Sequence, residues 1–326
     1  MASVTDDPAS SASCGPLSAE EIAALAADFP HFEHAFVYGS ALVAPASGSI
    51  PMTDLVFAVR EAEAWHALNL EKHAAHYSPL GMLGPRAVAA VQERAGAGVY
   101  YNAYVPWRGR RIKYGVVSVS ALLDDLRCWR SLYLAGRMHK PVQTVKSDPL
   151  AAEANLASAA AAALLMQPPE GALLRDICSL SYTGDPRQAS RPSELTATHL
   201  ETLRRMTPAT ERLGAFSRPG APALRAGGAR RDAAALVAVR RCAIGSRGER
   251  PGKALRFAVH AAERLYAEAG GAQEGAARLG EAVRASLGRL VSRSSTPQTV
   301  KGFLTGGAVT TARYVGAKLA KRLVRK

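Results

Sequence analysis

A glycine–serine pair, Gly39-Ser40, closes the short apolar stretch Ala35-Phe36-Val37-Tyr38, and an aspartate, Asp54, heads a second such stretch, Leu55 to Val59. Backbone N–H groups at such a bend stand open to an anion, because glycine adds no side chain and adopts conformations that other residues avoid. A nest of this kind suits a triphosphate, and a carboxylate on the neighbouring strand can hold Mg²⁺ against the phosphate oxygens. The same pattern has a second reading, in which the glycine only makes a turn and the aspartate only caps a strand. The pair alone does not separate the two.

Other residue types extend the list. Lys113 lies in Ile112-Lys113-Tyr114-Gly115-Val116-Val117, otherwise apolar or aromatic, and is expected to point into a cleft towards phosphate; the alternative is an edge-strand lysine in solvent. Asp185, in Tyr182-Thr183-Gly184-Asp185-Pro186, is the candidate for a supplementary metal-binding acid, with an Asx turn or a helix cap as the alternative. His66, Asn69, His73 and His76 share one face of a helix, and no carboxylate or thiolate joins them to complete a zinc set. They read as a polar face bordering a pocket, with His66 its candidate nucleotide contact and His73 in solvent.

These groups need a scaffold. Ser18 with Glu21 forms a capping box for a helix to about Ala27. Strands are expected at 35–38 and 55–59, and at Val99-Tyr100-Tyr101 and Ile112–Val117 around an Arg108-Gly109-Arg110 turn, with a helix from Glu61 to His76 between the second and third. Leu122, Leu123, Leu126, Trp129, Leu132 and Tyr133 recur at helical spacing and predict a helix ending at Gly136. Helices follow at 150–166 and 173–181. Strands and helices mix over 30–120, so the fold class is α/β or α+β. The organisation expected is a disordered 1–17, a first domain over 18–148, a helical domain over 149–300 with a flexible Gly/Ala/Pro/Arg-rich insertion near 214–253, and a basic tail over 301–326.

The chain has 326 residues, long enough for about two domains, and a formal net charge of +14. Half of that charge lies in 301–326, which holds seven Lys and Arg and no acid. No apolar run approaches the ~18 residues of a membrane-spanning helix. The four cysteines are far apart, so neither a zinc ribbon nor a disulfide framework is indicated. No secretory leader is visible in the sequence. From Ala308, the stripe Val309, Ala312, Val315, Leu319 and Leu323 opposes Lys318, Lys321, Arg322 and Arg325, the pattern of an interfacial amphipathic helix. Packing of that helix onto the protein's own core is the alternative.

The Gly-Ser and Asp54 spacing resembles the nucleotidyltransferase superfamily, with Met52 at the position of that superfamily's first carboxylate. A closer resemblance runs along the chain. Phe36-Val-Tyr-Gly-Ser, Asp54-Leu-Val-Phe-Ala-Val, Trp65-His-Ala-Leu-Asn, His76-Tyr-Ser, Leu83-Gly-Pro, Gly96-Ala-Gly-Val-Tyr-Tyr-Asn, Ile112-Lys-Tyr-Gly-Val, Leu132-Tyr-Leu-Ala-Gly-Arg, Lys140-Pro-Val, Ser181-Tyr-Thr-Gly-Asp and Lys301-Gly-Phe-Leu-Thr resemble the mitochondrial translocator assembly and maintenance proteins. The likeness is dense over about 30–187 and 294–326. Ala41 stands where that family usually has Gly, and Pro186 where it usually has Phe.

The resemblance implies a phosphatidate cytidylyltransferase, making CDP-diacylglycerol and pyrophosphate from CTP and phosphatidic acid, a step towards cardiolipin. The implied architecture is a nucleotidyltransferase domain, a winged-helix-like helical domain and a C-terminal amphipathic helix. The implied setting is the matrix side of the mitochondrial inner membrane, or the cytoplasmic face of the inner membrane if the chain is bacterial. Asp54, Lys113 and Asp185 become the catalytic candidates, with Mg²⁺ on Asp54 and Asp185. Tyr38, Gly39, Ser40 and His66 become nucleotide contacts. Arg137 and Lys140 become binders of the phosphatidate headgroup, or else cations complementing a helix dipole. Residues 301–326 would meet an anionic membrane surface. Two other classes remain: a nucleotidyltransferase acting on RNA, and a non-catalytic assembly factor. No RNA-binding module is visible, and aromatics are not interleaved with the basic tail, so no nucleic acid is expected.

Overall fold

A computed structural model describes residues 15–42, 52–140, 142–166, 173–183 and 273–306. Asp185, the 214–253 insertion and the amphipathic stripe from Ala308 lie outside the described residues.

The chain is a mixed α/β protein built on a five-stranded sheet of order β3-β4-β2-β1-β5. The strands are β1 (His34–Tyr38), β2 (Thr53–Val59), β3 (Tyr100–Trp107), β4 (Arg110–Ser118) and β5 (Val142–Lys146). Central β2 is apolar on both faces through Leu55-Val56-Phe57-Ala58-Val59, as a strand covered on both sides must be. β1 and β2 run antiparallel with Tyr38 opposite Asp54, and β2 and β4 run parallel with Asp54 beside Lys113. Helices α1 (Ala19–Asp28), α2 (Ala62–His73) and α3 (Pro85–Arg94) precede β3, and α2 and α3 carry the chain over from β2. The capping box of α1 forms in both directions, Ser18 Oγ accepting from the Glu21 N–H and Glu21 Oε2 from the Ser18 N–H. The β3–β4 hairpin turns on Arg108 and Gly109, both at positive φ, the two-residue geometry that matches strand twist.

Each face of the sheet has its own core. One gathers Val37, Leu55, Phe57, Ile112 and Tyr114 with Leu25 and Trp65 from α1 and α2. The other gathers Phe36, Val56, Ala58 and Val117 with helices α4 (Val119–Cys128), α5 (Pro149–Leu165), α6 (Leu173–Ser179) and α7 (Gln273–Gly306). Ala151, Leu156, Ile177, Val283 and Leu287 therefore share one core with the sheet, across the boundary expected at 148/149.

Three expectations change. Residues 15–17 are fixed rather than disordered: buried Arg110 donates to the Gly15 and Pro16 carbonyls, and the Gln143 amide bonds Leu17 through both its oxygen and its nitrogen. The helix expected to reach Gly136 ends at Cys128, with Trp129 at φ +48° and Leu132 at +56°. The buried Asp125 carboxylate explains that ending. Its Oδ1 accepts from the backbone N–H groups of Ser131 and Leu132 at 2.7 and 2.8 Å and from Ser131 Oγ at 2.9 Å. Its Oδ2 accepts from the Leu134 and Ala135 N–H groups at 2.9 and 3.0 Å. Residues 131–135 thus wrap an anion that replaces the lost helical bonds. Finally, 301–306 continue α7 rather than begin a surface tail. Lys301 is buried, its Nζ donating to the carbonyls of Val91, Gln92 and Ala95 at the end of α3.

Candidate active site

Strand parity puts Tyr38, Asp54 and Lys113 on one face, at neighbouring register positions of three adjacent strands. Gly39 follows Tyr38 at φ +90°, and a Cβ built there would lie 3.0 Å from Asp54 Oδ2. Only glycine lets the bend approach the carboxylate so closely without strain. Ser40 opens the single helical turn Ser40–Leu42 after it, in which Ala41 is buried.

Asp54 Oδ1 accepts from Lys113 Nζ at 3.1 Å, and that ammonium lies 4.4 Å from the centroid of the Tyr101 ring. Gly115 makes this possible: it pairs across the strands with Tyr101, and a Cβ there would come within 2.6 Å of the ring. Tyr101 Oη in turn lies 3.3 Å from Tyr38 Oη. Over Tyr38 sits the Arg137 guanidinium, 5.4 Å from that ring's centroid and 3.7 Å from that of Tyr133. Arg137 Nη1 donates to the Tyr133 carbonyl, while its buried Nε has no hydrogen-bond partner.

Burial alone would lower the Lys113 ammonium, but the Asp54 carboxylate and the phenols of Tyr101 and Tyr133 outweigh it and hold the pKa above the usual lysine range. Burial opposes the charge on Arg137 as well, and the three surrounding phenols again raise it well above normal. The Tyr38 and Tyr101 phenols are pushed up, chiefly by burial. At neutral pH the cluster therefore presents two fixed cations and neutral phenols beside Asp54. Such a surface offers two cationic donors whose charge does not depend on pH near neutrality.

Among the described residues no three of His, Cys, Asp and Glu come together as a metal site. Among the described residues, Asp54 is the one carboxylate of this cluster, with one oxygen facing the glycine bend. This suits Mg²⁺, which keeps most of its ligands as phosphate oxygens and water.

The other expected residues fall elsewhere. Lys140 Nζ donates to Ser181 Oγ at 2.9 Å and lies 3.5 Å from the Tyr182 ring centroid. Gly136 permits that approach, since a Cβ there would meet Ser181 Cβ at 2.2 Å. Lys140 thus fixes the turn two residues short of Gly184-Asp185. His66 is not at the cluster at all. It lies with Tyr114 on the opposite side of the sheet, its Nδ1 on Tyr77 Oη at 2.8 Å and its Nε2 on Gln92 Oε1 at 2.9 Å. Asn69 Nδ2 donates to Tyr77 and Tyr114, His76 Nδ1 bonds Tyr114, and His73 Nε2 bonds the Asp28 carbonyl. The polar helix face therefore lines a buried network, and His73 is tied to α1 rather than free in solvent.

Sequence reasoning missed Tyr101, Tyr133 and Asp125. A tyrosine cross-strand from a glycine was the available signal for Tyr101. None existed for Asp125, whose partners are backbone groups of an irregular loop.

Residues 22–194 match the family described as mitochondrial phosphatidate cytidylyltransferase. Proteins of that name with similar sequences include one from Rattus norvegicus, 46% identical over an alignment that covers 46% of this chain and 48% of the rat protein. One from Drosophila melanogaster is 51% identical over 43% of this chain and 44% of its own length. One from Danio rerio is 34% identical over 90% of this chain and 91% of its own. The chain spans about half the length of the rat and fly relatives in these matches.

Proposed function

The chain belongs to the mitochondrial phosphatidate cytidylyltransferase family, and on that premise we propose that it transfers CMP from CTP to phosphatidic acid, giving CDP-diacylglycerol and pyrophosphate. The observation that carries this reading is the Asp54 carboxylate lodged against the Gly39 bend with Lys113 Nζ at 3.1 Å. That is a carboxylate, a bare backbone turn and a cation within reach of one triphosphate.

The phosphate of phosphatidate attacks the α-phosphorus of CTP in line, and pyrophosphate leaves with the electron pair of the broken bond. Catalysis of this kind is positioning and charge neutralisation more than bond-making by the protein. Gly39 and Ser40 give the triphosphate its backbone donors. Lys113 moves from Asp54 to a phosphate oxygen as substrate arrives, and Asp54 is then released to its ligand. Asp54, with Asp185 as the supplementary acid, would hold Mg²⁺, which when bound would supply neutralisation of the phosphate charge. Arg137 is clamped between Tyr38 and Tyr133, so its planar donors are oriented before the acceptor phosphate binds.

The helices after Pro149 correspond in this reading to the winged-helix-like part. The basic stripe beyond Ala308 holds the enzyme on an anionic bilayer, on the matrix side of the inner membrane. Among the described residues no helix is long and apolar enough to cross a membrane. The test is an assay of purified full chain with each nucleoside triphosphate against phosphatidate, diacylglycerol and RNA as acceptors. CDP-diacylglycerol formed only from CTP and phosphatidate, and only with Mg²⁺, is the expected result. Labelled RNA, or no product from any pair, overturns it.

A further inference from the structure

The segment between α2 and α3 has an inside and an outside of opposite character. Its root is firmly held. His76 bonds Tyr114, the residue after Lys113, at 3.0 Å, and Tyr77 Oη bonds His66 and Asn69. Ser78 Oγ lies 3.4 Å from Tyr100 Oη, and Gly81 sits where a Cβ would come within 2.8 Å of Tyr77 Cβ. From that root a short helical turn, Pro79–Leu83, ends at Gly84 with φ +86° and leads into Pro85 of α3. Its tip carries Met82 and Leu83, 88% and 72% exposed.

Single exposed apolar residues are ordinary on any protein. Here two large ones are adjacent, on a stub braced by two prolines and a buried network, so their exposure is built in. The charge of the sequence on either side of them has one sign. From Lys72 to Gln92 the sequence contains no Asp or Glu, and Arg86, one turn beyond the tip, is exposed. Glu71 and Glu93 bound that stretch. An apolar tip in an acid-free stretch of chain, with the exposed Arg86 beside it, is complementary to an anionic lipid surface, into which it inserts side chains while the cation meets the headgroups.

We propose that the Pro79–Leu83 turn is a second attachment point to an anionic bilayer, distinct from the C-terminal stripe, with Met82 and Leu83 entering the interface. The occupant named here rests on the lipid-substrate reading above. Because the root of this turn bonds Tyr114, next to Lys113 in β4, insertion fixes the sheet carrying the site relative to the lipid, which a tail alone does not do.

The test reads insertion without catalysis. In the full chain, Met82→Trp is mixed with phosphatidylcholine–phosphatidylglycerol vesicles brominated on the acyl chains, with no phosphatidate or nucleotide present. Trp65, Trp107 and Trp129 are buried, so the unsubstituted protein supplies the background. Quenching well above that background is expected. Met82→Asp with Leu83→Asp should weaken vesicle binding by about tenfold to a hundredfold, the loss of two partly buried apolar side chains, at unchanged melting temperature. No quenching above background, or unchanged affinity in the double variant, overturns the proposal. So does a lipid-free dimer that the double variant dissociates, which would assign the turn to a second copy. Quenching without any CDP-diacylglycerol synthesis would sink the enzymatic reading and leave this one standing. Synthesis from detergent-dispersed phosphatidate without quenching would do the reverse.

Discussion

The two faces of the sheet carry polar clusters of different kinds, back to back on β4, where Lys113 and Tyr114 face opposite ways. On one, Asp54, Lys113 and Arg137 stand among three tyrosines as full charges, and the Arg137 Nε lacks a partner. On the other, His66, Asn69, His76, Tyr77, Tyr114 and Gln92 bond one another and carry no net charge. Burial pushes His66 and His76 down to about 4, so they stay neutral at physiological pH. Buried charge is costly, and a neutral network of similar volume is a cheaper way to fill a core. On the charged face Lys113 is balanced by Asp54, and Arg137 is left with no acidic partner of its own, a surplus positive charge that the neutral face does not carry. The neutral face does structural duty, anchoring α2, α3 and the turn between them.

The sharpest way to break this contrast is at Asp54. Asp54→Asn should cut CDP-diacylglycerol formation by roughly a thousandfold or more, since the group that balances Lys113 and faces the bend is lost, while melting temperature changes little. Substantial activity in that variant would make the charged face as structural as the other. Arg137→Ala comes next, with an expected loss of about a hundredfold in kcat/KM for phosphatidate. Arg137→Lys should recover only part of it, because a point charge cannot reproduce a fork held between two rings. Full recovery would reduce Arg137 to a generic cation. Third is Asp125→Ala, which strands four backbone donors. A stability loss of about 3 kcal/mol is expected in denaturant titration, together with weaker phosphatidate use as Tyr133 and Arg137 lose their support.

These residues also show what the sequence made legible. The capping box at Ser18 and the Arg108-Gly109 hairpin rest on short-range rules, and the structure carries both. Parity likewise sets Lys113 on the face of Asp54, where it donates to that carboxylate. What failed was long-range. Helical spacing placed His66, Asn69 and His76 together but could not say on which side of the sheet α2 would lie, and that decided between pocket and core. The apolar spacing past Cys128 looked helical, yet a carboxylate three residues earlier captured the backbone of 131–135 instead. Lys301 counted as tail charge in one dimension; in three it is the C-terminal cap of α3, with its pKa lowered by burial to about 8.

The mildest test probes the neutral face through acid. His66 titrates near 4 in the folded chain and near its ordinary 6.5 when unfolded, so between those values the unfolded state binds more protons. The stability that neutral His66 contributes is then present above about pH 6.5 and is lost as pH falls towards 4. His76 acts in the same direction. Melting temperature of the full chain should accordingly drop across that window. His66→Gln keeps a polar group against Tyr77 and Gln92 but cannot titrate, so its curve should be flatter, with activity per folded molecule at pH 7 within about threefold of the parent. A variant that melts normally yet is catalytically dead would place His66 in the chemistry after all. Two curves of equal slope would mean that the network accommodates a charged imidazole, and the neutrality separating the two faces would then have some other source than burial.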